Sequence, residues 1–316
     1  MRLGNSRAAS IDRVGSRLWR MLRNIILAQL LMWGIVFLVL RAITLDPASA
    51  LAGIRADAVT RAALQAQFGL DVPWYRALAS SYQQLATAQF GLSLRDGLPS
   101  IDRIKQPLLL SAQVSAMVAL LAMMSAAASF LVICIRRRAA QRLTLLAVTL
   151  AAAPSFFLAI WLSPYFPSYS EVLRAESISW RELALPILVL WLPLIPLAAL
   201  YAARAEAIIE SSDWLQTYQH FGIAGWRSKI IYGRSSSLRL LALVGLNCFL
   251  LSFVGAVAVE QVTGLPGLGL AMIDAINARD TPVIQLVSAL TCFASSLMMG
   301  CIHFLDRDDR TVSGPE

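Results

Sequence analysis

The sequence predicts an all-α integral membrane protein of about six transmembrane helices. Three observations carry this reading. Of the 316 residues, 58% are hydrophobic and only 15% are charged, whereas a soluble domain carries roughly a quarter charged residues. Mean hydropathy is +0.64. The apolar residues also fall in long uncharged blocks, each able to cross a bilayer, for which about 17–25 residues suffice. A net charge of +8 would suit a nucleic-acid binder, but the arginines sit in short clusters beside apolar blocks. Orientation in a membrane accounts for them, and no nucleic-acid partner is expected.

The expected spans, in order, are Asn24–Leu40, Leu108–Ile135, Leu143–Leu162, Leu183–Ala203, Leu240–Val259 and Pro282–Leu305. Residues 1–23 precede them, residues 24–305 form the membrane domain and residues 306–316 follow as a tail. Pro154, Pro164, Pro186, Pro193 and Pro196 should kink or end the third and fourth spans, because proline lacks the N–H that continues a helix.

Orientation follows from the positive charges. Arg2, Arg7, Arg13, Arg17, Arg20 and Arg23 precede the first span, and Arg136, Arg137, Arg138 and Arg142 fill the second connection. Both sets should be cytoplasmic. The fourth connection, residues 204–239, carries Arg204, Arg227, Lys229, Arg234 and Arg239 against Glu206, Glu210 and Asp213, so it shares that side, as do both termini. The long first connection, residues 41–107, faces outward with the third and fifth. Ala48-Ser49-Ala50 resembles a signal-peptidase site, but the apolar run before it is longer than a signal core, and Arg41 and Asp46 interrupt the approach. A retained first helix is expected.

Charged residues lie outside the six blocks or at their edges, unlike proton-coupled carriers and intramembrane enzymes, which keep ionisable groups inside. No Gly-x-x-x-x-Gly-Lys phosphate loop occurs, so any ATP must be hydrolysed by a partner. Cys134, Cys248, Cys292 and Cys301 sit in apolar blocks without Cys-x-x-Cys spacing and read as buried, inert thiols. With only His220 and His303 beside them, no metal and no cofactor is expected. Gln113, Ser115, Asn247 and Ser252 are polar residues within spans; they could line a path, although packing between helices satisfies most such groups.

The fourth connection holds the most structured non-membrane pattern. Ser211, Ser212 or Asp213 can cap a helix on which Trp214, Tyr218 and Phe221 form one stripe, with Gly222 at its end and Gly225 permitting a further turn. Two uses fit. The helix could rest on lipid headgroups, or it could dock a soluble protein.

Several stretches resemble the B-type permease subunit of the oligopeptide/dipeptide branch of ABC importers. Asp46-Pro47-Ala48 and Gly69-Leu70-Asp71-Val72-Pro73 are similar to signatures of that family's outer segment. "QFGLSLRDGLPSIDRI" resembles its Gly-Asp-x-Gly-x-Ser stretch, with Gln89 in the Asp position. After the fifth span, Glu260, Pro266-Gly267-Leu268-Gly269, Ala275-Ile276 and Arg279-Asp280 stand in the family's order. The fourth connection then corresponds to the loop bearing the family's coupling helix, with Gly222 at the motif glycine and Gln219 and His220 replacing the preceding alanines.

The resemblance implies a fold like that of type I ABC importer permeases, with a short cytoplasmic coupling helix, in the bacterial inner membrane. It implies a non-enzymatic subunit moving peptide-like solutes. Its partners would be a second homologous permease, two cytosolic ATPases that meet Trp214, Tyr218, Phe221 and Gly222, and an external binding protein. The short chain and the altered loop lean toward the Sap-type subgroup, linked to antimicrobial peptides and polyamines. The alternatives are a transport-inactive membrane scaffold and a secondary transporter. The glycines and proline between Glu260 and Ala271 are expected to form a compact turn whose backbone conformations a side chain would block.

Overall fold

A computed structural model describes residues 2–43, 72–135, 148–149, 154–166, 180–212, 215, 229 and 233–306. Among these residues the structure is helical, and the β-pairing present is a single bridge between Leu92 and Pro99. The helices are α1 (Arg2–Ile43), α2 (Trp74–Thr87), α3 (Ser100–Ile135), α4 (Ser155–Leu162), α5 (Trp180–Trp191), α6 (Ile195–Glu210), α7 (Arg234–Thr263), α8 (Leu268–Asn277) and α9 (Thr281–Asp306).

Five stretches are long and apolar enough to cross a membrane: Leu18–Ala42, Ser100–Ile135, Glu182–Glu210, Ser237–Thr263 and Thr281–Leu305. The third expected span is described chiefly over α4, an apolar helix that runs into a 3-10 turn at Ser163–Tyr165. The helices outrun the uncharged blocks. Residues 2–23 continue into the first span as one helix, and residues 204–210 and 234–239 extend α6 and α7 into the fourth connection.

Of the five prolines expected to kink or end spans, four act as their missing N–H requires. Pro154 precedes α4, Pro164 lies in the following 3-10 turn, and Pro193 lies in the 3-10 turn Leu192–Leu194 that joins α5 to α6. Pro196 occupies the first turn of α6, where the N–H would be unpaired in any case. Pro186 does not end its helix; α5 continues through it.

The chain divides into two compact units, Met1–Leu108 with Ala271–Leu297, and Leu109–Leu270 with Met298–Glu316. In the first, α2 packs on α1. The buried Trp33 donates its indole N–H to Ser81 Oγ at 2.6 Å, and Tyr82 OH donates to the Leu30 carbonyl at 2.9 Å. Gly34 permits this approach, since a Cβ there would lie 2.5 Å from the Tyr82 hydroxyl. Gln29 Nε2 donates to the Ala289 carbonyl at 3.2 Å, tying α1 to α9.

The second unit has a core drawn from α3, α4, α5, α6 and α7. Val118, Ala122, Ala159, Val189, Ala198, Cys248 and Val259 are fully buried in it. Alanines recur on the buried faces of α3 and α6, at Ala122, Ala126, Ala198 and Ala202, where small side chains let helix backbones approach closely. Trp191 Nε1 donates to Ser125 Oγ at 3.1 Å within this unit. Large apolar residues such as Leu31, Met124 and Leu251 are exposed, as lipid-facing positions on membrane helices are.

Candidate functional site

The motif after α7 builds a carboxylate-centred turn in the second unit. Gly264 ends α7 in the left-handed conformation, at φ 70°. Leu265 is buried, the Gly267 N–H donates to its carbonyl at 2.7 Å, and α8 then starts at Leu268. A new helix leaves its first N–H groups without partners. Glu260, 2% exposed, reaches back across the turn to meet them. Its Oε2 accepts the N–H of Gly269 at 2.7 Å and of Leu270 at 3.2 Å. Its Oε1 accepts the Ser111 hydroxyl at 2.5 Å, and Ser111 Oγ in turn accepts the Leu268 N–H at 2.7 Å.

The glycines of this motif are required by space. A Cβ at Gly267 would sit 2.1 Å from Glu260 Oε1, and one at Gly269 would sit 2.5 Å from Val257 Cα. Neither has a positive φ, which among the motif's glycines belongs to Gly264. The expectation of blocked backbone conformations is corrected accordingly: the obstacle at Gly267 and Gly269 is the carboxylate and the helix behind it. Pro266 is half-buried in the same turn.

Asp280, the motif's other acid, makes its bonds within the first unit and is 1% exposed. Its carboxylate accepts the Ser93 hydroxyl, and Oδ1 accepts the Leu94 N–H at 3.1 Å. It thereby pins the loop carrying the "GLSLRDG" stretch, so two motifs far apart in sequence meet in one contact. Arg103 reinforces that loop, donating to Ser93 Oγ at 3.2 Å and pairing with Asp96 at 2.5 Å. Desolvation raises the Asp96 pKa, but the bond from the Leu98 N–H and the Arg103 charge oppose it, and that carboxyl is held below its ordinary value.

In the fourth connection, Trp214, Tyr218, Phe221 and Gly222 lie outside the described residues. The described residues there form an anchor that the sequence reading missed. Lys229, 9% exposed, donates to Glu206 Oε1 at 2.5 Å and Glu210 Oε1 at 2.8 Å. Glu206 and Glu210 stand one turn apart on α6 and would repel one another without it. Burial disfavours the ammonium charge, yet the two carboxylates outweigh that cost and hold the Lys229 pKa above its ordinary value. The signal was in the sequence as an acid pair at i, i+4 and a lysine beside "II", but nothing local joined them.

The polar residues within spans differ in their surroundings. Asn247 donates to the Leu243 carbonyl at 2.9 Å and Ser252 to the Phe249 carbonyl at 3.0 Å, each within its own helix and not between helices. Gln113 is exposed, and Ser115 Oγ is buried without a hydrogen-bond partner. Cys248 is buried, but Cys134, Cys292 and Cys301 are only half-buried. No cluster of metal-ligating side chains occurs among the described residues.

No protein-family model matches the chain. Curated relatives do. The chain is 28% identical over 258 residues to the glutathione transport system permease protein GsiC of Escherichia coli strain K12, covering 79% of this chain and 83% of that protein. The same protein of Shigella flexneri serotype 5b matches at 28% with the same coverage, and that of Shigella boydii serotype 4 at 27%. The chain is a homologue of these transport-system permeases, and with its membrane-spanning helices it is consistent with the oligopeptide/dipeptide-type ABC permease family.

Proposed function

We propose that this chain is the permease subunit of an ABC importer for peptide-like solutes. It would pair with a second homologous permease, draw energy from two cytosolic ATPases and receive solute from an external binding protein. The observation that carries this reading is the relation to the glutathione-system permeases along 79% of the chain. The membrane-spanning helices fit it, and in this reading a partner hydrolyses ATP, since the sequence carries no phosphate loop. The names of those relatives point to glutathione, a modified tripeptide, as the first solute to test.

The Glu260 turn and the Asp280 contact would act as fixed points of the outward-facing side, and the segment bearing Trp214, Tyr218, Phe221 and Gly222 as the place where the ATPase docks. The proposed orientation is checked with introduced thiols and a membrane-impermeant reagent in intact cells. Ser80, exposed on α2, should label from outside, and Ser212 should not. Labelling at 212 reverses the orientation.

The function itself is tested by co-expressing the permease pair with its ATPases, reconstituting the complex in vesicles and following ATP-dependent uptake of labelled glutathione and short peptides. Uptake that needs ATP and the ATPases supports an importer. Uptake without them makes the chain a secondary transporter. ATPase retention without uptake of any peptide-like solute makes it a scaffold.

A further inference from the structure

We propose that a side cavity among α3, α6 and α7 takes one acyl chain of an anionic phospholipid, whose phosphate then lies beside Arg204 and Arg239. The inference requires the chain to sit in a membrane and is independent of the solute it moves.

The cavity lies within the second unit and has a volume of about 240 Å³. That is below the roughly 300 Å³ at which pockets for drug-sized ligands begin, but it is elongated. Its wall on α7 runs from Ser237 to Val244, about 10 Å along the helix. Helix α3 lends Ala126 and Phe130, α6 lends Tyr201 and Ala202, and α7 lends Leu241 and Val244. The space is not sealed, since Leu131 and Leu238, which also line it, are 45% and 55% exposed.

The chemistry of the wall decides what can fill it. An ordered water needs two to four polar partners. Ser237 and Tyr201 are the lining residues with hydroxyls, and the Ser237 hydroxyl already donates to the Gly233 carbonyl at 2.9 Å. An empty space would forfeit the dispersion contacts of the side chains around it. In a bilayer the filler at hand is a flexible hydrocarbon chain. Moving such a chain from lipid to this cavity exchanges one apolar medium for another, so the tail selects nothing. Any selection must come from the head group.

All three walls lie near helix ends. The α3 wall stops at Leu131, four residues before that helix ends; the α6 wall ends at Ala205, five residues before Glu210; and α7 begins at Arg234. The sequence reads these ends as cytoplasmic, the side on which anionic lipids concentrate. Arg204, exposed, directly precedes the lining Ala205, and Arg239, half-buried, stands between the lining Leu238 and Leu240. Basic groups at the edge of a crevice between membrane helices suit an anionic head group. Glu206 and Glu210 would oppose a phosphate there, but the Lys229 ammonium holds both.

The test reconstitutes the full-length chain in phosphatidylcholine vesicles doped with a lipid that carries a diazirine on one acyl chain, either phosphatidylglycerol or phosphatidylcholine. Carbene adducts at Phe130, Tyr201 and Leu241 report the cavity, and adducts at the exposed Leu251 report the open bilayer. Relative to Leu251, phosphatidylglycerol should label the cavity at least about fivefold more than phosphatidylcholine does. Ala127→Phe fills the space from a half-buried wall position. It should remove the cavity adducts of both lipids and leave Leu251 labelled. Arg204→Gln changes an exposed side chain, and together with Arg239→Gln it should bring the two lipids to within about twofold of one another.

Equal cavity labelling by the two lipids in the wild type overturns the proposal, as do cavity adducts that persist in Ala127→Phe. A phosphatidylglycerol preference that survives both arginine changes also overturns it, and these variants decide the matter if Ala127→Phe does not fold. The wild-type labelling is repeated on the complete permease complex. Cavity adducts lost there would make the space a contact between subunits, and the lipid proposal fails. No arm needs ATP or solute, so failure of the importer reading in its uptake assay is a separate result.

Discussion

Helix α7 is held at its two ends by different physics. It has 30 residues and therefore runs about 45 Å, longer than the roughly 30 Å hydrocarbon layer. At its far end a buried acid, Glu260, is satisfied entirely by neutral donors, a serine hydroxyl and two backbone N–H groups. Before its start a buried acid, Glu206, is satisfied by an opposite charge. A carboxylate seated among neutral dipoles fixes one geometry, because those donors belong to a turn and a helix that cannot rotate away. A lysine reaches its partners on a long flexible stem, so its anchor depends on the charge and can be exchanged or neutralised. The first arrangement is a static joint held by neutral dipoles, the second a joint held by charge.

The largest expected effect breaks the static end. Gly267→Val pushes a branched side chain into Glu260 Oε1, 2.1 Å from even its Cβ, combining overpacking with loss of the carboxylate's bonds. The cost should be about 4 kcal/mol or more, seen as loss of monodisperse protein in detergent. Wild-type yield and melting temperature would mean that the turn opens freely.

Lys229→Met breaks the other end and should cost about 3 kcal/mol, since it removes the lysine that pairs with the buried Glu206. Its pH dependence sharpens the comparison. The Lys229 pKa is raised above 10.5, so the pair's stabilisation is fully present below the ordinary lysine value and is lost only as pH rises through the folded one. The gap between wild type and Lys229→Met in thermal unfolding should therefore hold steady from pH 7 to about 10 and narrow only above that range. Narrowing near neutral pH would show that the lysine is not held charged.

The smallest effect belongs to Ser111→Ala. It removes the hydroxyl between Leu268 and Glu260 but leaves the two backbone donors on the carboxylate, and should cost about 1–2 kcal/mol. A cost equal to that of Gly267→Val would mean that the serine, rather than the backbone, seats Glu260.

The two ends also differ in how far the sequence announced them. Glu260 and the glycines that crowd it lie within one short run, so local spacing marked the turn, although the reason for Gly267 and Gly269 emerged only from the distances to the carboxylate and Val257. The spans were legible because apolar block length is a direct physical requirement of the bilayer. Ser111 was read as part of a span, because its partners lie 149 and 157 residues away. Asp280 and Ser93 stand 187 residues apart, each in a recognisable motif, yet neither motif names the other. Lys229 looked like one positive charge among several, since pairing with Glu206 depends on α6 continuing past the uncharged block to Glu210.

Pull-down of the cognate ATPase by membranes carrying Tyr218→Ala, Phe221→Ala or Gly222→Asp, at matched permease levels, tests most directly whether the segment between Leu215 and Lys229 is where energy enters. Burying one such aromatic is worth roughly 1.5–3 kcal/mol before ordering costs. Each variant should therefore weaken ATPase retention by about tenfold or more. Undiminished recovery of the ATPase in all three loop variants would contradict the account, leaving the segment as a helix resting on the lipid surface.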